Sequence, residues 1–170
     1  MINIKNPHWV AAYTKPRNEK KVYDRLVQEG FETYLPLKKT LRKWSDRKKI
    51  VEVPLLPSYI FIRVTEKEYY PILGLSGIIR YVTFEGKAAP IPDKQIDILK
   101  MLLGQDIDIE VASENFRLGD RVEIILGSMV GFEGQIVKHK GKSKAIIQID
   151  HVSHAIMVTL PKNHLIRKIE

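Results

Sequence analysis

The eleven residues Pro54–Val64, PLLPSYIFIRV, constrain the fold more than any other stretch of the chain. Two prolines fix the approach, and Tyr59–Val64 then alternates as a strand should. Both of its faces are apolar, with Ile60, Ile62 and Val64 on one and Tyr59 and Phe61 on the other. A strand in a half-solvated sheet reads apolar-in and polar-out. Here each face needs a cover. The chain's own helices are expected to cover one, and a partner protein the other.

Around this strand the pattern is of mixed type. Trp9–Thr14 reads as a first strand, ended by Pro16. Asn18 is placed to cap a helix running to Glu29, with Val22 and Leu26 at i, i+4 spacing and Gly30 as its stop. Phe31–Leu35 is a short extended piece, and Leu37–Leu41 and Ile50–Val53 are the arms of a hairpin. A short helix at Glu66–Leu73 and a strand at Ile78–Thr83 follow, and Pro92-Asp93 opens a helix ending at Gly104. This order predicts an α+β fold: an N-terminal antiparallel sheet flanked by helices over residues 1–104. Residues 105–115, acidic and polar, read as a linker. From Phe116 the period becomes two, and five segments (Arg121–Ile125, Gln135–Lys140, Ser143–Asp150, Ala155–Leu160, His164–Ile169) predict a small five-stranded β-barrel over residues 116–170. Gly131 and Gly134 are expected to bracket a tight loop, with Phe132 as a barrel plug.

Charge separates the two parts. Residues 1–104 hold 19 Lys+Arg against 11 Asp+Glu, whereas residues 105–170 hold 9 of each. The whole excess of +8 therefore lies in the first part, which suits either approach to a polyanion or a solvated basic surface. No apolar run approaches the length of a membrane span, no secretory signal is visible at the N-terminus, and there is no cysteine. A cytoplasmic protein without membrane contact is expected.

Motifs for catalysis are missing: there is no Gly-rich phosphate loop, HExxH, GxSxG or cysteine nucleophile. The expectation is a binding protein with no enzymatic activity, cofactor or metal. Asp150, His151 and His154 are close in sequence but fall around a turn, where solvated loop residues are the simpler reading. Binding features are richer. In KKTLRKWSDRKK, residues Lys38, Lys39, Arg42, Lys43, Arg47, Lys48 and Lys49 surround Trp44. Such cations neutralise phosphates, and Trp44 is of the type that stacks on an unpaired base. The plainer reading is a solvated hairpin with Trp44 folded onto its own sheet. A second basic group, Lys15, Arg17, Lys20, Lys21 and Arg25, lies at the start of the first helix.

WVAAYTKPRNEKKV (Trp9–Val22), the Tyr34–Pro36 triplet and PLLPSYIFIRV resemble the N-terminal (NGN) domain of NusG-type transcription elongation factors. GDRVEIILGSMVGFEGQIV (Gly119–Val137) resembles the KOW motif of the same family, whose last domain is an SH3-like barrel. The TKPR sequence and the basic hairpin look more like the specialised RfaH-like antiterminators, above all those of capsular-polysaccharide loci. That resemblance implies a monomeric elongation regulator that binds RNA polymerase and favours processive transcription of a long operon. A general elongation and termination factor, or a KOW-type RNA-binding or ribosome-associated protein, are the alternatives.

The resemblance also implies roles for residues. Trp9, Tyr13, Leu55, Leu56, Tyr59 and Phe61 match an apolar depression that docks on the clamp helices of the largest polymerase subunit. Lys15, Arg17, Lys21 and Arg25 match the region facing single-stranded non-template DNA in the transcription bubble. His151, Val152, Ser153 and His154 match a barrel loop that contacts ribosomal protein S10 or a termination factor. Two departures stand out. Tyr69-Tyr70-Pro71 replaces a His-Thr-Thr contact of RfaH, and Phe116–Glu170 has a plain β pattern, so a stable barrel is expected.

Overall fold

A computed structural model of the chain describes residues 6–104, 109–112, 121–124, 133–139, 142–159 and 166–168. The chain divides into two compact units, Met1–Leu99 and Lys100–Glu170.

The first unit runs β1 (His8–Thr14), α1 (Glu19–Gln28), β2 (Thr33–Tyr34), β3 (Leu37–Lys43), β4 (Lys48–Pro54), β5 (Tyr59–Val64), α2 (Tyr69–Leu73), β6 (Ile78–Tyr81), β7 (Thr83–Phe84), β8 (Lys87–Ala88), β9 (Pro90–Ile91) and the start of α3 (Asp93–Leu103). The division between the units falls inside α3. Its main sheet is antiparallel with the order β2-β5-β1-β6, and β9 lies beside β1. The β3–β4 hairpin forms a separate two-stranded sheet. So does β7–β8, a small hairpin without a clear sequence signal.

Pairing of β1 with β5 sets the two faces. His8↔Val64, Val10↔Ile62 and Ala12↔Ile60 share one side, while Trp9↔Arg63, Ala11↔Phe61 and Tyr13↔Tyr59 share the other. The first side joins Val22 and Leu26 of α1, Ile72 of α2, Ile78 and Tyr81 in one apolar core. Val22 and Leu26 meet the sheet because residues four apart lie on one helix face. The helix ends as Gly30 predicted. Gly30 (φ +84°) donates to Val27 O and Phe31 to Leu26 O, which satisfies two terminal carbonyls in a Schellman motif. Its start departs from expectation. Asn18 occupies the N-cap position, but its amide donates to Pro16 O at 3.1 Å and makes no capping bond.

The second unit contains β10 (Ile109–Ala112), β11 (Arg121–Ile124), β12 (Glu133–His139), β13 (Lys142–Gln148), β14 (Ala155–Thr159) and β15 (Ile166–Lys168). They form an antiparallel sheet in the order β10-β14-β13-β12-β11-β15. Five of these strands match the expected segments, and the last returns to pair with β11. The sixth is a correction: β10 lies within the expected linker 105–115 and pairs with β14 from Ile109↔Val158 to Ala112↔Ala155. Gly134 is another, since it lies inside β12 and not in a loop. A Cβ there would come 2.7 Å from the Ile146 carbonyl oxygen, so the position requires glycine for lack of space. Gly131 and Phe132 lie outside the described residues.

Candidate functional site

Four of the six residues expected for docking lie on the second side of the main sheet. The structure brings Trp9, Tyr13, Tyr59 and Phe61 together on it, but not as an exposed depression. Trp9, Leu55, Leu56, Tyr59 and Phe61 each expose 3% or less of their surface, and only Tyr13 is half-buried. The rings cover one another. Tyr34 stacks on Phe61 at 6.4 Å between centroids, and Tyr13 lies 4.8 Å from Tyr59. The Tyr59 hydroxyl donates to that of Tyr13 at 3.1 Å. This bond, then burial, raises the Tyr13 phenol above its ordinary range, and burial raises that of Tyr34. Both stay neutral around pH 7.

Charged neighbours frame these rings, and sequence reasoning missed them. The Arg80 guanidinium lies 4.7 Å above the Tyr13 ring, a cation–π contact on an exposed arginine. Arg63, opposite Trp9, reaches Glu32 at 3.4 Å and Asp93 at 3.3 Å, so α3 begins on this side of the sheet. Only the cross-strand register identifies these partners.

The PSY turn is tied to the basic start of α1. Ser58 takes a left-handed conformation (φ +63°), and its N–H donates to Glu19 Oε1 at 2.8 Å. Thr14 N–H donates to Ser58 O, and Lys15 N–H to Gly77 O, both at 2.9 Å. Glu19, a buried carboxylate, thus fixes the turn that delivers Lys15 and Arg17 to solvent. Glu19→Ala leaves the Ser58 N–H without this acceptor and should cost about 1–3 kcal/mol. Glu19→Gln keeps an acceptor oxygen and should cost less. Thermal unfolding of the two variants side by side checks the difference.

The two basic groups meet at the root of the hairpin. Lys20 Nζ donates to Glu52 O at 2.7 Å, which joins α1 to β4. Lys15, Arg17 and Lys21 are exposed. Arg25 is exposed too, but its guanidinium donates to Ser76 O and so secures the end of α1. On the hairpin, Lys39, Arg42, Lys43, Trp44 and Arg47 are exposed and Lys38 is half-buried. Trp44 is not folded onto the sheet: 46% of it is exposed, and the Arg47 guanidinium sits over its ring at 5.6 Å. That arginine occupies one of the two ring faces offered for base stacking.

In the second unit the expected docking loop joins β13 to β14. His151 and Ser153 are exposed and His154 is half-buried. Val152 is buried, being 2% exposed. Its N–H donates to Ile149 O and its carbonyl accepts from Gln148 Nε2, so it anchors the turn from inside. Among the described residues no group of His, Cys, Asp or Glu is placed to hold a metal ion, and no helix is long and apolar enough to cross a membrane.

A helix-flanked antiparallel sheet with a basic hairpin, followed by a small antiparallel sheet, defines a non-catalytic, NusG-like class of transcription factor. The family described as transcription termination factor NusG matches residues 7–100, and the chain belongs to that family. Transcription termination/antitermination protein NusG of Streptococcus pyogenes is 26% identical over 153 residues, covering 81% of this chain and 84% of the relative. The same figures hold for that protein from several strains. The fold is similar to that in a structure of domain interaction in Thermotoga maritima NusG. There the TM-score is 0.58 at 19% identity, over 99% of this chain and 100% of the other.

Proposed function

We propose that this NusG-family factor binds RNA polymerase through its first unit and promotes antitermination of one long operon, of the kind that encodes polysaccharide synthesis. The observation that carries the polymerase contact is the family match over residues 7–100, which contains both the aromatic side of the sheet and the basic hairpin. In this reading that aromatic side meets the clamp helices of the largest subunit. Tyr13, half-buried, and the exposed Arg80 over its ring supply contact surface. Trp9, Tyr59 and Phe61 lie buried on the same side of the sheet, and Leu55 and Leu56 are buried just before β5. Lys15, Arg17 and Lys21 contact non-template DNA, and the exposed His151 and Ser153 of the second unit dock a further partner, S10 or a termination factor.

Co-purification of RNA polymerase with the full chain tests the docking face. Tyr13→Ala together with Arg80→Ala should abolish capture while the variant stays folded, with a thermal transition lowered by the lost Tyr13–Tyr59 contact. Undiminished capture by a folded variant would exclude this face.

A general termination and elongation factor is the second reading, favoured by the names of the streptococcal relatives. Transcript read-through on several templates separates the two. Effects confined to one leader support operon antitermination, and uniform effects support the general factor.

A further inference from the structure

We infer that the β3–β4 hairpin enters the major groove of double-stranded DNA tip first, and does not track a single strand. The inference rests on the reading of this chain as a transcription factor that works at DNA. The two strands, Leu37–Lys43 and Lys48–Pro54, stand apart from the main sheet. Every residue from 41 to 50 is exposed.

Register sets where the charges point. Arg42 faces Lys49 and Lys43 faces Lys48 across the hairpin. Because side chains alternate, the first pair lies on one face of the ribbon and the second on the other. Lys38 adds to the first face and Lys39 to the second, where Glu52 opposes it. The remaining carboxylate of the hairpin, Asp46, is 3.8 Å from Arg47 at the tip and lies opposite neither pair. Like charges directly opposite in a sheet are destabilising. The tip therefore carries repulsion on both faces, and an anion on one face relieves half of it.

The shape of the polyanion follows. A single strand runs along one face of a ribbon. A duplex groove holds a phosphate backbone on each side of whatever enters it. The B-form major groove, about 12 Å wide, admits a two-stranded ribbon, whereas the minor groove, about 6 Å wide, does not. The A-form major groove of RNA is too deep and narrow. Tip-first insertion sets Arg42 and Lys49 against one backbone and Lys43 and Lys48 against the other. The weak case for a single strand is consistent with this, since Arg47 already covers one face of Trp44.

Fluorescence anisotropy of the full chain with a short duplex DNA, one of its strands alone, and a duplex RNA of the same sequence tests the inference. Duplex DNA should bind about tenfold tighter than either alternative, with affinity falling steeply between about 50 and about 200 mM salt. Arg42→Ala/Lys49→Ala and Lys43→Ala/Lys48→Ala should each weaken duplex binding and each lower the salt slope by about 1.8. Both variants remove cross-strand repulsion, so neither should lower the thermal transition. Equal or tighter binding of the single strand or of duplex RNA overturns the inference, as does loss of binding from one pair alone. Polymerase capture by the same variants should be unchanged. Failure of wild-type capture would reject the proposed polymerase contact while leaving the duplex result to stand separately.

Discussion

Phe61→Ala should unfold or severely loosen the first unit, not merely weaken a binding surface. The ring is fully buried in the centre of the sheet, opposite Ala11 on β1 and stacked against Tyr34 from β2. Removing a buried phenylalanine ring costs about 3–5 kcal/mol, through lost burial and the cavity left behind. Ala11 has no side chain able to fill that cavity, and the Tyr34 ring loses its stacking partner. A small domain has only about 5–15 kcal/mol in hand. The expected fall in Tm exceeds about 10 °C. A melting curve within a few degrees of wild type would mean that the ring is not the keystone its burial implies. It follows that loss of polymerase capture in this variant cannot identify a contact residue, whereas Arg80, exposed, can be replaced with far less cost to the core.

Gly77→Ala should be the second large effect, acting at one place by two routes. Gly77 has φ +101°, a conformation that side chains resist, and a Cβ there would lie 2.6 Å from Val22 Cγ2. Backbone strain of this kind costs roughly 1–3 kcal/mol, and overpacking typically adds about 1–3 kcal/mol. Val22 is 2% exposed within the core formed by α1 and the sheet, so it has little room to withdraw. The Gly77 carbonyl also accepts from Lys15 N–H, which couples the strain to the basic start of α1. Denaturant unfolding should show a lower midpoint with an unchanged slope. Val22→Ala should cost less in the Gly77→Ala background than alone, because it removes the colliding methyl group. If the double variant is no better than the sum of the two singles, the collision is not the cause.

Local pattern carried much of this fold into view. Tyr59–Val64 forms a strand with the bounds its alternation indicated, and Gly30 ends α1 by the hydrogen bonds its conformational freedom permits. A hairpin with arms at Leu37–Leu41 and Ile50–Val53 was legible because a polar, basic turn region separates two extended runs. The strands extend two residues further toward the tip on each arm. Other features were not legible, for different reasons. Alternation reveals that Tyr59 and Phe61 share a face, but exposure depends on what packs above them, which no local pattern contains. Ile109 and Val111 alternate with acidic neighbours, and the charge concealed a strand signal. Gly134 suggested a turn, yet its place is set by the Ile146 carbonyl of the next strand, whose pairing no local pattern shows. The framing residues Arg63 and Arg80 depend on register in the same way.

The separation of the hairpin from the main sheet has a consequence for how such a protein diversifies. The hairpin is held at its root, where Lys20 Nζ meets Glu52 O and Leu55 N–H meets Pro36 O. Beyond that anchorage, residues 41–50 are all exposed and supply nothing to the core. Replacements there escape the penalties that guard Phe61 or Gly77. Inheritance can thus rewrite this short segment repeatedly while the rest of the unit stays under tight restraint. Duplicated copies of one ancestral factor would be able to vary this ribbon without relearning how to fold.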